Sequence, residues 1–242
     1  MAVNPRTILT IDTATEACSV ALQVGTDVFA RFEICPQQHS QRILPMVKDV
    51  CTEAKIALQQ VDTIGFGQGP GSFTGVRIAM ATVQGLAFAL ETPVVGVSTL
   101  AAMAYESLSL QNIDGACAYV AIDARMNEVY FAAYQWQQGA MYPCHKEEVL
   151  APHIAAERVT RMVAENTLSP ATAAGTGWDA YAELTALYEH TVKVPSITLP
   201  NAKFMLPFVA NAVEQGQACS IMDVEAVYLR DTVTWKKLPG RE

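Results

Sequence analysis

Hydrophobic and polar positions divide the chain into two passes of one pattern. Residues 8–14 read as a buried strand, and 17–24 and 27–34 follow as strand-like segments separated by turns at Thr15-Glu16 and Gly25-Thr26. Helical periodicity then covers 40–54 and 73–90, with short strand-like runs at 63–66 and 94–97 after each. From residue 119 the order restarts: 119–123, 128–136 and 140–149 read as strands, and 152–166, 178–189 and 201–215 as helices. Two passes of strand-strand-strand-helix-strand-helix predict a duplicated α/β chain with a cleft between its halves. The predicted lobes are 1–107 and 108–242, with a terminal segment, 220–242, free to pack back on the first lobe.

The two long helical segments of the first half differ in pattern. Residues 40–54 carry one apolar stripe, Ile43, Leu44, Val47, Val50, Cys51 and Ala54. Pro45 would cost about 3 kcal/mol deep inside a helix, which places it near the first turn or at a kink. Residues 73–90 are apolar nearly all round, with Arg77 the only charge and Ala81, Gly85 and Ala89 a ladder of small residues four apart. A helix without a polar face is buried or covered by a partner. Thr82 and Gln84 interrupt the run, and it lacks the ~20 clean apolar residues of a membrane span. The two helices together offer a face able to pack against an equivalent pair as a four-helix bundle; the alternative is that both simply cover their own sheet. The expected docking residues are Ile43, Leu44, Val47, Val50, Cys51, Val76, Met80, Ala81, Val83, Gln84, Gly85 and Phe88.

The stretch before the second helix, Gly65-Phe-Gly-Gln-Gly-Pro-Gly-Ser-Phe-Thr-Gly75, looks like a phosphate loop and fails each phosphate pattern in turn. It has no Lys for a Walker loop. From Gly67 and Gly69 the third glycine of G-x-G-x-x-G is replaced by Ser72, and Pro70 and Thr74 stand where a nucleophile elbow around Ser72 needs glycines. What remains is a tight strand-to-helix turn with Ser72 as N-cap.

Composition narrows the class. The chain has 242 residues, 51% of them hydrophobic, and a net charge of −8. No Lys/Arg cluster appears beyond Lys236-Lys237, so the surface shows no basic stripe for nucleic acid. Six cysteines stand far apart without a C-x-x-C pair, which reads as free thiols, and the N-terminus shows no signal-peptide pattern. A cytoplasmic protein without a membrane span is expected. His39, His145, His153 and His190 suggest surface or structural roles, not a general base.

Ile11-Asp12-Thr-Ala-Thr and Ile122-Asp123-Ala-Arg-Met end equivalent strands in the two passes. This duplicated plan resembles the actin, sugar-kinase and Hsp70 superfamily (ASKHA, RNase H-like), with lobes of the βββαβα type. The resemblance implies phosphate-holding hairpins of the form Asp-x-Gly-Thr/Ser. Here Ala14 replaces the glycine, whose absent side chain would let backbone N–H groups approach phosphate, and the second copy keeps only Asp123. Gly175-Thr-Gly177 resembles the superfamily's adenosine-side turn. Asp12, Gly175 and Gly177 are therefore the candidate nucleotide residues; binding is expected to be weak or absent, and no cofactor or metal is expected.

Four stretches in order, 11–22, 39–45, 69–78 and 122–130, with a fifth at 228–237, resemble the TsaB (YeaZ) family of tRNA threonylcarbamoyladenosine biosynthesis proteins across essentially the whole chain. That resemblance implies a non-catalytic subunit. Its partner would be the paralogous TsaD, which transfers threonylcarbamoyl to N6 of an adenosine beside the tRNA anticodon, with the ATPase TsaE joining them and tRNA reached through the complex. TsaD-like chains continue the helix into a His-x-x-x-His metal pair; here Thr99 and Met103 stand at those places, poor ligands for Zn²⁺ or Fe²⁺. A homodimer through the same apolar face is the expectation when the partner is absent. The alternative reading, motivated by Asp12 and Asp123, is an autonomous nucleotide-dependent kinase or metallopeptidase of the superfamily.

Overall fold

The computed structural model describes residues 6–165, 170–189, 192–193 and 197–230. His190 and Lys236-Lys237 lie outside the described residues. Strands β1 (Thr7–Asp12), β2 (Ala17–Val24) and β3 (Asp27–Ile34) form an antiparallel meander, and β4 (Thr63–Gly69) and β5 (Val94–Ser98) add parallel to β1. The sheet order is β3-β2-β1-β4-β5. The second half repeats it with β6 (Cys117–Arg125), β7 (Glu128–Gln137), β8 (Ala140–Leu150), β9 (Ala171–Ala174) and β10 (Val192–Lys193), in the order β8-β7-β6-β9-β10. Each sheet has the same two antiparallel and two parallel pairings. The chain therefore has the duplicated actin-like α/β fold. Central β1 is buried at every position, Thr7, Thr10 and Asp12 included, whereas edge strand β3 has no buried residue.

Helices α1 (His39–Ala54) and α2 (Phe73–Leu90) cover one face of the first sheet. The halves also exchange elements. Helix α3 (Thr99–Gln111) follows β5 yet packs Leu100, Met103, Ala104 and Leu108 against Val120, Tyr134 and Trp136 of the second sheet. In return α7 (Leu206–Glu214), near the chain's end, packs Leu206 and Val209 against Ile8, Val95 and Val97 of the first sheet. Residue 107 lies inside α3, so the boundary expected there cuts a helix that belongs to the second core. On the second sheet's other face, α4 (Pro152–Glu165) adds Ala155 and Val159 to a core with Tyr119 and Trp178.

Three expectations are corrected. The helix expected over 178–189 is two single turns, α5 (Gly177–Ala180) and α6 (Ala182–Thr185), broken by extended Tyr181 and followed by a 3-10 turn. Strand β9 was not foreseen: Ala-Thr-Ala-Ala has no strand-like composition, and only its fully buried place beside β6 makes it one. Thr99 and Met103 do not continue the helix of residues 73–90; β5 intervenes, and they sit on separate α3. Pro45 lies in the second turn of α1, on its exposed side.

Candidate docking surface and interlobe cleft

Helix α2 is built with two apolar faces. Ser72 caps it by accepting from the Gly75 N–H at 3.4 Å. Gly75, Val76, Ala79, Val83 and Ala87 point into the sheet, while Phe73, Thr74, Arg77, Ala81, Gln84, Gly85, Phe88 and Ala89 face outward. At 100° per residue the outward set falls on one half of the helix. Phe88 is 81% exposed and Phe73 59%. No atom lies within 4 Å of a Cβ placed on Gly85, so the small-residue ladder is open to solvent. By length and composition alone α2 could cross a membrane, but its inner face is locked in the first core.

Six of the expected docking residues do not reach this surface. Ile43, Val47, Val50, Cys51 and Val83 are buried in the first core, Val76 is buried at the wall of the interlobe cleft, and Met80 packs against the core from the edge. The stripe on α1 is thus the face that covers β2 and β3, held in register by the Arg42–Glu33 and Arg31–Glu53 ion pairs. The reason is geometric: one amphipathic stripe can serve one side, and the sheet claims it. Leu44, 52% exposed, with Ala81, Gln84, Gly85 and Phe88, remains outward.

Between the lobes lies a cleft of about 720 Å³, lined by the β1–β2 turn, the start of α2, the β6–β7 turn, Thr176 and residues 227–230. Its floor does not suit a magnesium nucleotide. Ser72 N–H donates to the Ala14 carbonyl at 2.7 Å and Thr13 Oγ1 donates to the Gly75 carbonyl at 2.7 Å, so the entry of α2 lies directly on the first hairpin turn. A methyl group on Gly71 or Gly75 would run into the Ala14 or Thr13 carbonyl. These glycines serve close backbone packing, and they fill the space over the turn where a phosphate would approach.

Asp12 is fully buried below the cleft and does not line it. Its Oδ1 accepts from the Ala14 N–H at 3.2 Å, its Oδ2 has no partner, and burial raises its pKa from 3.8 to about 7. Gly67 is bare because Oδ2 occupies the place of its side chain. Asp123 is engaged instead: it accepts from the Arg125 N–H at 2.8 Å, pairs with the Arg125 guanidinium at 2.7 Å and accepts from Tyr181 Oη at 2.8 Å. Gly175, at φ +103°, and Gly177 abut the backbone of Ala121, so their bareness also answers to packing. Thr99 and Met103 are fully buried, Met103 among apolar side chains, and they do not fit a metal.

Several residues around the cleft were not singled out from sequence. Arg77 lies over the Phe73 ring, 3.4 Å from its centroid, and its Nε donates to Tyr228 Oη at 3.1 Å. Arg230 donates to the Ala124 and Arg125 carbonyls at 3.1 and 3.4 Å and pairs with Glu128. The signals in the sequence were the isolated charge of Arg77 in an apolar helix and the place of Tyr228 and Arg230 in the family-like stretch 228–237.

A family model described as TsaD, tRNA N6-adenosine threonylcarbamoyltransferase, matches residues 32–215. The chain is 44% identical over 238 residues to the tRNA threonylcarbamoyladenosine biosynthesis protein TsaB of Escherichia coli (strain K12), covering 97% of this chain and 99% of that protein. It is 39% identical over 249 residues to the Haemophilus influenzae protein of the same name, covering 98% of each. Among solved structures, YeaZ from Pseudomonas aeruginosa superposes with a TM-score of 0.76 at 41% identity, covering 93% of this chain and 100% of that one. A Pseudomonas aeruginosa protein described by its similarity to peptidase YEAZ gives 0.79 at 40% identity, with the same coverage. With two similarly built lobes facing one cleft and relatives matched nearly end to end, the chain belongs to the TsaB (YeaZ) family.

Proposed function

We propose that this chain is a non-catalytic subunit in tRNA threonylcarbamoyladenosine biosynthesis, binding and activating TsaD and acting with TsaE in the cytoplasm, with tRNA reached through the complex. The observation that carries this reading is the outward half of α2, where Phe73, Ala81, Gly85, Phe88 and Ala89 leave an apolar helix face uncovered beside exposed Leu44. Such a face fits another helix: the small residues admit a close backbone and the two phenylalanines flank it. Absence of a suitable donor pair at Thr99 and Met103, burial of Asp12 below the cleft and engagement of Asp123 by Arg125 and Tyr181 support a supporting and not a catalytic role. Without TsaD the same face would pair two copies of this chain.

Reconstitution of the tRNA modification from purified TsaD and TsaE tests the role: activity is expected only when this chain is added, and full activity without it would overturn the proposal. Ala81→Arg or Gly85→Arg is expected to abolish co-purification with TsaD without lowering the thermal midpoint. An intact complex with both variants would move the docking surface elsewhere.

A further inference from the structure

The stretch 227–230 crosses from one lobe to the other. On the first lobe, Val227 N–H donates to the Gln68 carbonyl at 2.8 Å, just before the turn into α2. Gly69, at φ +104°, gives way to the Val227 carbonyl. Tyr228 then packs its ring at a tilt against Phe73, with 5.9 Å between ring centroids, and its hydroxyl accepts from Arg77 Nε. Both partners belong to the first turns of α2, on its outward side. On the second lobe, Arg230 enters the β6–β7 turn, where Arg125, Met126 and Asn127 all have φ near +60°, an uncommon run for residues with side chains. Its guanidinium takes the carbonyls of Ala124 and Arg125 together with Glu128, and its side chain is only 18% exposed.

The other link across the cleft is weaker. Arg125 reaches Glu16 at 3.2 Å, but its side chain is 74% exposed, and solvent screens such a pair. A half-enclosed guanidinium gripping several oxygens in fixed directions holds a geometry that an exposed pair does not. Arg230 is also aimed at oxygens of the hairpin that superfamily logic would assign to phosphate. The second hairpin therefore presents acceptors, satisfied from within the chain.

We propose that residues 227–230 are an internal strap: Arg230 anchors it to the second lobe, and Tyr228 sets the first turn of α2 in the orientation that the partner meets. Arg230 and Tyr228 are positioning residues for docking, and this inference rests on the docking role of α2. The strap couples the lobe angle to the helix face, so loosening one end changes the other.

Hydrogen–deuterium exchange of the full chain, read alongside TsaD binding, tests it. Arg230→Ala is expected to raise exchange about tenfold both at 122–128 and at 68–77 while β1 and β2 stay protected, and to weaken TsaD binding about tenfold. A general loss of stability would raise exchange in β1 and β2 as well. Tyr228→Phe, which removes one hydroxyl and leaves the fold intact, is expected to raise exchange at 73–77 alone and to weaken binding two- to threefold. Exchange confined to 122–130 in Arg230→Ala, or unchanged TsaD binding in both variants, would overturn the strap. Ala81→Arg serves as the separating control: it should abolish docking with exchange at 68–77 and 122–128 unaltered. If Ala81→Arg docks normally, the docking role of α2 fails, while the exchange data still decide whether the two ends are coupled.

Discussion

Asp12 carries the plainest chemistry at the residue scale. Its carboxyl is buried, half-satisfied and shifted up from 3.8 to about 7, and burial also lifts Glu106 to about 7 against the opposing charge of Lys203. A carboxyl whose folded pKa exceeds its unfolded value binds more protons when folded, so its contribution is full below pH ~4 and is lost as pH rises to ~7. For Asp12 the loss amounts to about 4 kcal/mol across that window. Urea melts between pH 4 and 8 should show stability falling with pH to about 7 and then levelling, and Asp12→Asn should roughly halve the slope, Glu106 supplying the rest, while keeping an oxygen for the Ala14 N–H. An unchanged slope would mean Asp12 is not the titrating group. Glycines give a second, opposed pair of outcomes. Gly71→Ala places a methyl against the Ala14 carbonyl and should cost about 1–3 kcal/mol, whereas Gly85→Ala meets nothing and should gain about 0.5–1 kcal/mol through helix propensity. Equal effects at the two sites in thermal melts would contradict the packing account.

At the scale of elements, the contrast between α1 and α2 decides what each can do. Both were legible as helices, because Ile43, Val47, Val50 and Cys51 recur at helical spacing and 73–90 contains neither Pro nor a run of polar residues. Their outward faces were not equally legible. The stripe on α1 is the only apolar one it has, and the sheet takes it; α2 has apolar residues to spare, and the surplus faces solvent. Ile43→Ala should therefore cost about 2–5 kcal/mol in stability as a core truncation. Phe88→Asp, at 81% exposure, should change stability by less than about 0.5 kcal/mol yet abolish TsaD binding in a pull-down. If Phe88→Asp unfolds the chain or binds normally, the assignment of faces is wrong. The helix expected over 178–189 and the unassigned β9 have related causes: the extended conformation of Tyr181 breaks the helix that local composition favoured, and only burial beside β6 makes a strand of 171–174.

For the whole molecule, the exchange of helices between halves means the lobes are joined by more than a linker. Helix α3 fills the second core and α7 the first, so neither half would bury its own sheet if cut at residue 107. A fragment of 1–107 should accordingly be insoluble or unfolded by circular dichroism; a folded, cooperative fragment would refute that dependence. Sizing the intact chain with and without TsaD is expected to show a dimer of copies giving way to a mixed complex, and Gly85→Arg to yield a monomer. The sequence by itself determined the three opening strands of each half, the helix of 73–90 to the residue, the failed phosphate motifs and the family, since each of these depends on local spacing or on residue identity. Only the tertiary structure decided which face of each helix is free, why the glycines before α2 are bare, that Asp12 lies beneath the cleft and not in it, and that Tyr228 and Arg230 bridge the lobes. Those properties depend on which surfaces meet across separations of ten to nearly two hundred residues, and hydrophobic periodicity records that a face is buried without recording against what.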